Sequence, residues 1–206
     1  MKIIILLFFF IICSLNSKGQ SFVYLDIGIG NYGKDNITFA DFDLGAGYPI
    51  ISNFNCFGGL KLDKYFLDVE VSENNEEDIT ESFLTFNLYL GTTNYFKIIE
   101  FKENQVFDYF GFFPEFRFFY NPYLPKKITY EHDGTIFNKN GDFKMQASYG
   151  YAGGIFFKTK TGLIALKVEF NSNDPFEVLR NLDYGKKVMP FSKGEQLLIS
   201  LRLSGF

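Results

Sequence analysis

Histidine, cysteine and tryptophan are scarce or missing in this 206-residue sequence, and their scarcity excludes several kinds of protein. One histidine, His132, cannot build a metal site that needs several histidines. Two cysteines, Cys13 and Cys56, allow at most one disulfide. Lysine and arginine number 20 against 24 acidic residues, a net charge of −4, whereas a nucleic-acid-binding protein would carry a basic stripe.

The N-terminal segment has the layout of a secretory signal peptide. A positive start at Lys2 precedes an uncharged apolar run over 3–13, and small residues at Ser17 and Gly19 suit cleavage before Gln20. The run is shorter than the roughly 20 residues that span a bilayer, although an uncleaved anchor remains an alternative. We therefore predict a signal peptide at 1–19 and one domain at 20–206. Cleavage would leave Cys56 without a disulfide partner and a net charge of (20 − 2) − 24 = −6.

Aromatic residues and glycine dominate the remainder, with 28 Phe, 13 Tyr and 19 Gly. This composition favours strands over helices. Apolar and polar residues alternate with period two, as in Phe116 against Arg117, which is typical of strands with two different faces. The alternation predicts eight strands, at about 22–32, 38–48, 56–71, 82–95, 108–121, 144–158, 162–171 and 195–204.

Three features of these strands indicate a membrane rather than an aqueous environment. Large aromatic side chains occupy the apolar face of nearly every strand. The strands are about ten residues or longer, which suits a tilted bilayer crossing. The polar faces combine glycine with charges of both signs, as a polar barrel interior requires. These charges are Asp26, Asp41, Asp43, Lys61, Asp63, Glu115, Arg117, Lys158, Lys167, Glu169 and Arg202.

The predicted fold class is therefore all-β, a closed antiparallel up-and-down transmembrane β-barrel of about eight strands. In lipid every backbone group must be paired within the protein, so the sheet must close. Ten strands are an alternative if residues 128–138 form two more. Short connections at 49–55 and 158–162 alternate with long ones at 72–81, 124–143 and 172–194, as expected for periplasmic turns and outer loops. The connection at 96–107 is long for a periplasmic turn, and suggests a hairpin extending below the bilayer or a misplaced boundary.

Two segments resemble the small outer-membrane β-barrel domain proteins of Gram-negative bacteria, which are eight-stranded and porin-family-like. The first comprises Gly45-Ala46-Gly47-Tyr48, Ser52-Asn53-Phe54-Asn55 and Gly58-Gly59-Leu60, and the second is the terminal Leu201-Arg202-Leu203-Ser204-Gly205-Phe206. The resemblance implies an eight-strand barrel in outer-membrane lipid, inserted by the outer-membrane assembly machinery, and no single activity. Phe206 departs from the family pattern because it has the parity of the polar face, unless a bulge at Gly205 re-aims it.

The charged residues of the last strands are the first candidate site. Glu115, Arg117, Lys167, Glu169 and Arg202 could line a pore or a gate. An eight-stranded barrel, however, is just wide enough for its own side chains. Buried charges must also be paired to be tolerated. We therefore predict an interior salt-bridge network rather than an open pore.

The outer loops supply the other candidates. His132, between Glu131 and Asp133, could be the general base of a lipid hydrolase, or an ordinary exposed loop residue. The acidic run at 73–78, followed by Glu81, lacks the spacing of a calcium loop. Aromatic residues predicted near strand ends suggest interfacial girdles. They are Phe22, Tyr48, Tyr95, Phe96, Tyr120 and Tyr123.

These observations predict a non-enzymatic outer-membrane protein, structural or surface-interacting through its extracellular loops at about 124–143 and 172–194. We assign no catalytic, cofactor-binding or metal-binding residue and no cofactor, and we expect a monomer that binds no nucleic acid. Two alternatives remain. One is an outer-membrane lipid-modifying hydrolase that uses His132. The other is a soluble periplasmic β-barrel that holds a small apolar ligand, which would require the two strand faces to be exchanged.

Overall fold

A closed barrel of eight antiparallel strands forms the body of the computed structural model. The structure describes residues 21–33, 37–51, 54–70, 78–102, 106–123, 127–132, 135–140, 145–177 and 194–205. The barrel strands are β1 (Phe22–Tyr32), β2 (Ile37–Ile51), β3 (Phe54–Glu70), β4 (Asp78–Asn94), β6 (Phe107–Tyr123), β9 (Gln146–Thr159), β10 (Gly162–Asn171) and β11 (Gln196–Gly205). Each lies within a few residues of its predicted position, so the predicted eight-stranded fold is confirmed.

Each barrel strand pairs with its neighbour in the chain, and β1 pairs with β11 to close the sheet. In the described part of the chain, no helix is long enough and apolar enough to cross a membrane. β7 (Lys127–His132) and β8 (Thr135–Asn140) pair with each other in a separate ribbon. The ten-stranded alternative is therefore wrong, because the extra strands hydrogen bond to one another instead of widening the barrel.

The long connection after β4 extends the hairpin that leads into β6. β5 (Phe96–Glu100) follows β4 after Tyr95 and pairs with the first half of β6, from Phe96 opposite Phe112 to Glu100 opposite Tyr109. The backbone N–H of Phe101 donates to the carbonyl oxygen of Asp108 at 2.9 Å. The hairpin therefore continues beyond the start of β3, as the length of this connection suggested.

The two faces of the strands differ as alternation requires. In β6, Phe116 is 52% exposed and Arg117 is 0% exposed. We call the outward-facing residues the apolar belt, because they cover the barrel wall on every strand. The belt comprises Val23, Ile27, Ile29, Phe42, Leu44, Leu60, Phe66, Leu84, Leu90, Phe112, Phe116, Phe118, Tyr149, Tyr151, Ile155, Phe157, Ile164, Leu166, Val168, Phe170, Leu197, Ile199, Leu201 and Leu203.

Inside the barrel, aromatic rings lie over glycines of neighbouring strands. A Cβ atom added at Gly91 would lie 2.5 Å from the ring of Phe57, and one at Gly154 would lie 2.7 Å from the ring of Phe113. Real Cβ atoms do not approach other atoms so closely. The missing side chain of each glycine thus makes room for a ring, which explains why a chain rich in phenylalanine and tyrosine also needs inward-facing glycine.

Candidate functional site

The barrel lumen is the candidate site, and charged side chains fill its middle. Arg202 on β11 is buried and bridges two carboxylates: its Nε donates to Oδ1 of Asp26 at 2.8 Å, and its Nη1 donates to Oε2 of Glu115 at 2.7 Å. Its guanidinium also lies 4.3 Å from the ring centre of Tyr24. Arg202 therefore links β1, which is next to its own strand, with β6, which lies three strands away in the other direction.

Arg117 and Lys167 extend this network across the lumen. Arg117 donates to Glu115 through Nε and to Oδ2 of Asp43 through Nη1. Lys167 donates to Oδ2 of Asp26 at 2.5 Å and to Oε2 of Glu169 at 3.1 Å. Shared carboxylates therefore connect strands that are far apart in sequence, and the network is the one predicted for a narrow barrel.

Lys61 on β3 joins the network through one short contact. Its Nζ donates to Oε1 of Glu169 at 2.8 Å, whereas it lies 3.4 Å from Oδ1 of Asp41 and 3.8 Å from Oδ1 of Asp63. The alternation in the sequence placed Asp41, Asp63 and Glu169 on the polar face. It did not reveal that Lys61 lies closer to Glu169 than to the two aspartates, because that depends on distances.

Aromatic side chains close the lumen at the end where β1 begins and β11 ends, which we call the terminal end. The rings of Phe113 and Phe156 are buried there and pack against Tyr95. A second cluster of buried rings comprises Phe22, Tyr24, Phe57, Tyr89 and Phe119. The hydroxyl of Tyr89 donates to Oδ1 of Asp43, which links this cluster to the ionic network.

Residues 172–177, the capping segment, close the opposite end, which we call the cap end. Phe176 is fully buried among the rings of Tyr32, Tyr65 and Phe83, at centroid distances of 5.1 to 6.1 Å. The hydroxyl of Tyr32 donates to Oδ1 of Asp174 at 2.7 Å. The capping segment therefore inserts into the barrel mouth, although the sequence suggested only an outer loop at 172–194.

A polar layer separates the capping segment from the charges. The amide of Gln196 donates to the hydroxyl of Tyr65 at 2.6 Å, and the amide of Asn87 donates to Oδ2 of Asp63 at 3.2 Å. Asn171 accepts from the backbone N–H of Asn173 at 2.9 Å. Three kinds of layer therefore fill the described lumen: aromatic, ionic and neutral polar.

Several sequence candidates lie elsewhere. His132 ends β7 in the ribbon, and the structure describes only its backbone. Residues 73–77 and Phe206 lie outside the described residues. Pairing stays regular up to Gly205, without the bulge considered there. The girdle interpretation is wrong for Phe22 and Tyr95, because both rings pack inside the barrel.

Within the described part of the chain, histidine, cysteine and acidic side chains form no group of three or more suited to a metal ion. The arrangement supplies paired charges and packed rings. Chemically, it can fix the strands in one register and exclude solvent from the barrel axis.

Solved structures with this architecture include several outer-membrane barrels of low sequence identity. Neisserial surface protein A aligns over 90% of this chain and 96% of its own, with 10% identity and a TM-score of 0.51. The N-terminal β-barrel domain of OprF from Pseudomonas aeruginosa aligns over 91% of this chain and 99% of its own, with 10% identity and a TM-score of 0.44. Ail, the attachment invasion locus protein of Yersinia pestis, aligns over 92% of this chain and 98% of its own, with 11% identity and a TM-score of 0.47.

No family model matches the chain, and no curated protein sequence matches it significantly. The likeness to Neisserial surface protein A establishes the fold of this chain and nothing more. The chain has the fold of the small eight-stranded outer-membrane β-barrels.

Proposed function

We propose that this chain is a non-enzymatic outer-membrane barrel with a filled lumen, structural or surface-interacting through its outer segments. The supporting observation is its inside-out distribution of side chains, with the apolar belt outside and the charges buried. In water, so large a contiguous apolar surface would promote association. In a bilayer the belt faces hydrocarbon, and the closed sheet leaves no barrel strand with an unpaired edge.

The lengths of the connections suggest the orientation. Two of the three turns at the terminal end are short: two residues separate β2 from β3, and two separate β9 from β10, whereas the connection from β4 to β6 contains β5. Connections at the cap end are longer, including the one that carries the ribbon. Outer-membrane barrels have short periplasmic turns and long extracellular loops. We therefore place the cap end, with the capping segment and the ribbon, at the cell surface.

Packing of the lumen supports a structural or binding role over solute passage. Aromatic layers at both ends and an ionic network between them leave the described residues tightly packed along the axis. The ribbon instead forms a sheet of its own, with pairing from Lys127 opposite Asn140 to His132 opposite Thr135, and its β7 lies next to β4. A stiff ribbon on a rigid scaffold is a common place for a binding surface. We assign contacts with an extracellular partner to the ribbon, and to residues beyond 177.

The alternatives are less well supported. A soluble barrel with an apolar ligand needs apolar residues inside and charges outside, whereas Arg117 is buried and Phe116 is exposed. The hydrolase alternative rests on His132 alone, at the end of a ribbon rather than on the barrel wall. A His132→Ala variant with an altered outer-membrane lipid profile would favour the hydrolase, and an unchanged profile would favour the non-enzymatic role. Export by the signal peptide, insertion by the assembly machinery and a monomeric state belong to the same proposal.

Location and orientation can be tested together in intact cells. We expect the protein in the outer-membrane fraction, with heat-modifiable mobility on gels after detergent extraction. An epitope inserted between Asp133 and Gly134 should be labelled on intact cells. The same epitope between Lys160 and Thr161 should be labelled only after the outer membrane is permeabilised. Recovery in the soluble periplasmic fraction, or the reverse labelling pattern, would contradict the proposal.

A further inference from the structure

The described strand residues that are buried in the lumen include two more acids than bases. They include four bases, Lys61, Arg117, Lys167 and Arg202, and six acids, Asp26, Asp41, Asp43, Asp63, Glu115 and Glu169. If all ten were ionised, these strand residues would together carry a formal charge of 4 − 6 = −2. Buried charges are tolerated only when they are paired, so this excess must be compensated.

The short contacts show where the excess lies. The four bases donate at 3.1 Å or less to four acids: Asp26, Asp43, Glu115 and Glu169. These eight residues form a neutral network of four cations and four anions. Asp41 and Asp63 are left over, with contacts of only 3.4 and 3.8 Å to Lys61. The excess negative charge is therefore confined to one pair of carboxyl groups.

Asp41 and Asp63 lie directly opposite each other on β2 and β3. Both are at most 3% exposed, and Oδ1 of each lies within 4 Å of the same Nζ atom of Lys61. Neither oxygen of Asp41, nor Oδ1 of Asp63, receives a hydrogen bond from any described donor. Two carboxyl groups can hydrogen bond only if one of them carries a proton.

We propose that Asp41 and Asp63 share one proton at neutral pH, and that this proton is part of the folded lumen. Oδ2 of Asp63 accepts from the amide of Asn87 at 3.2 Å and from the hydroxyl of Thr85 at 3.5 Å, which leaves Oδ1 of Asp63 for the shared proton. Asp41 has no such described donor. The proton therefore belongs to the pair of carboxyl groups rather than to either one alone.

A proton fits this place better than a metal ion does. The ammonium group of Lys61 stands within 4 Å of both carboxyl groups and repels a second cation. Metal ions also require more oxygen ligands than two carboxylates supply. The titratable groups that face the pair are Asp43 on β2, Lys61 and Tyr65 on β3, Arg117 on β6 and Glu169 on β10. Thr85 and Asn87 face it from β4, and Gly28 of β1 lies opposite Asp41.

Infrared spectroscopy of the folded protein in detergent micelles tests this directly. Ordinary carboxyl groups are ionised at pH 7, so a C=O stretching band of a protonated acid would report the shared proton. We expect this band in the wild-type protein, and its loss in Asp41→Asn, whose amide can replace the donated hydrogen bond. Glu100→Gln, an exposed acid paired with Lys97, is the matched control and should leave the band unchanged.

A proton held only by the folded state also makes stability depend on pH. Between pH 6 and 8, the unfolding equilibrium constant of the wild type should rise about tenfold per pH unit relative to that of Asp41→Asn. Absence of the band in the wild type would overturn the proposal even if the variant failed to fold. A band that persists in a folded Asp41→Asn, or one bound metal ion per chain by elemental analysis, would overturn it too. These measurements use purified protein, so their outcome is independent of cellular location.

Discussion

Replacement of Arg202 by methionine should destabilise the barrel strongly, because it removes the cation that bridges two buried carboxylates and adds one uncompensated negative charge to the network. Arg202 donates four hydrogen bonds of 2.7 to 3.3 Å to Asp26 and Glu115. Removing one member of a buried ion pair lowers the free energy of unfolding by about 3–5 kcal/mol. Methionine retains an unbranched chain of similar length beside the ring of Tyr24. The loss would therefore come mainly from the uncompensated charge.

Lys97→Met is the matched control, since it removes the same charge from an exposed pair. Lys97 and Glu100 lie 2.5 Å apart, but their side chains are 45% and 59% exposed. Exposed pairs contribute about 0–1 kcal/mol. Urea unfolding in lipid vesicles, followed by heat-modifiable gel mobility, would compare the two variants. If Arg202→Met lost no more stability than Lys97→Met, the lumen would be hydrated, and the interpretation of a filled, solvent-excluding interior would be refuted.

Two further substitutions test the packing of the lumen. Gly154→Ala should lower the unfolding free energy by about 1–3 kcal/mol, because the new Cβ would collide with the carbonyl oxygen of Leu166 and the ring of Phe113. Gly153→Ala, where the nearest atom is 3.7 Å away, should change it by less than about 0.5 kcal/mol. Equal urea midpoints for the two would argue against ring-over-glycine packing. Phe176→Ala should speed hydrogen exchange in residues 172–177, because it empties the space among three rings. Exchange near Phe156, at the other end of the barrel, should stay the same. Unchanged exchange in residues 172–177 would show that Phe176 does not hold the capping segment.

The sequence predicted the strands well because the two faces of each strand meet different environments. Residues 22–32 and 162–171 were predicted as strands and coincide with β1 and β10. In a strand, successive side chains point to opposite faces, so one apolar environment and one polar environment produce a period of two. The same alternation correctly assigned Phe116 to the outside and Arg117 to the inside.

The inward-facing aromatic residues could not be recognised in the same way. Phe22 and Tyr95 were interpreted as interfacial residues, yet their rings pack inside the barrel. The ring of Phe22 lies over Gly47 of the adjacent strand, and such a match depends on register, which a single sequence does not contain. Phe176 was hidden for another reason, since its partners Tyr32, Tyr65 and Phe83 are far away in sequence. The balance of four bases against four acids likewise appears only from distances.

The ionic network also gives each strand a reason to keep its register. A slip of one residue exchanges the two faces of a strand, so a slipped β6 would turn Phe116 inward and would turn Glu115 and Arg117 outward, toward the lipid of the proposed location. An arginine or lysine in the middle of a bilayer is disfavoured by about 2–4 kcal/mol. Well-packed apolar residues could fill the lumen with comparable stability. A strand with two apolar faces, however, would lose little by slipping. The buried charges and the outward-facing apolar belt therefore specify one pairing of the eight strands. That pairing also fixes one arrangement of the segments at the cap end of the barrel.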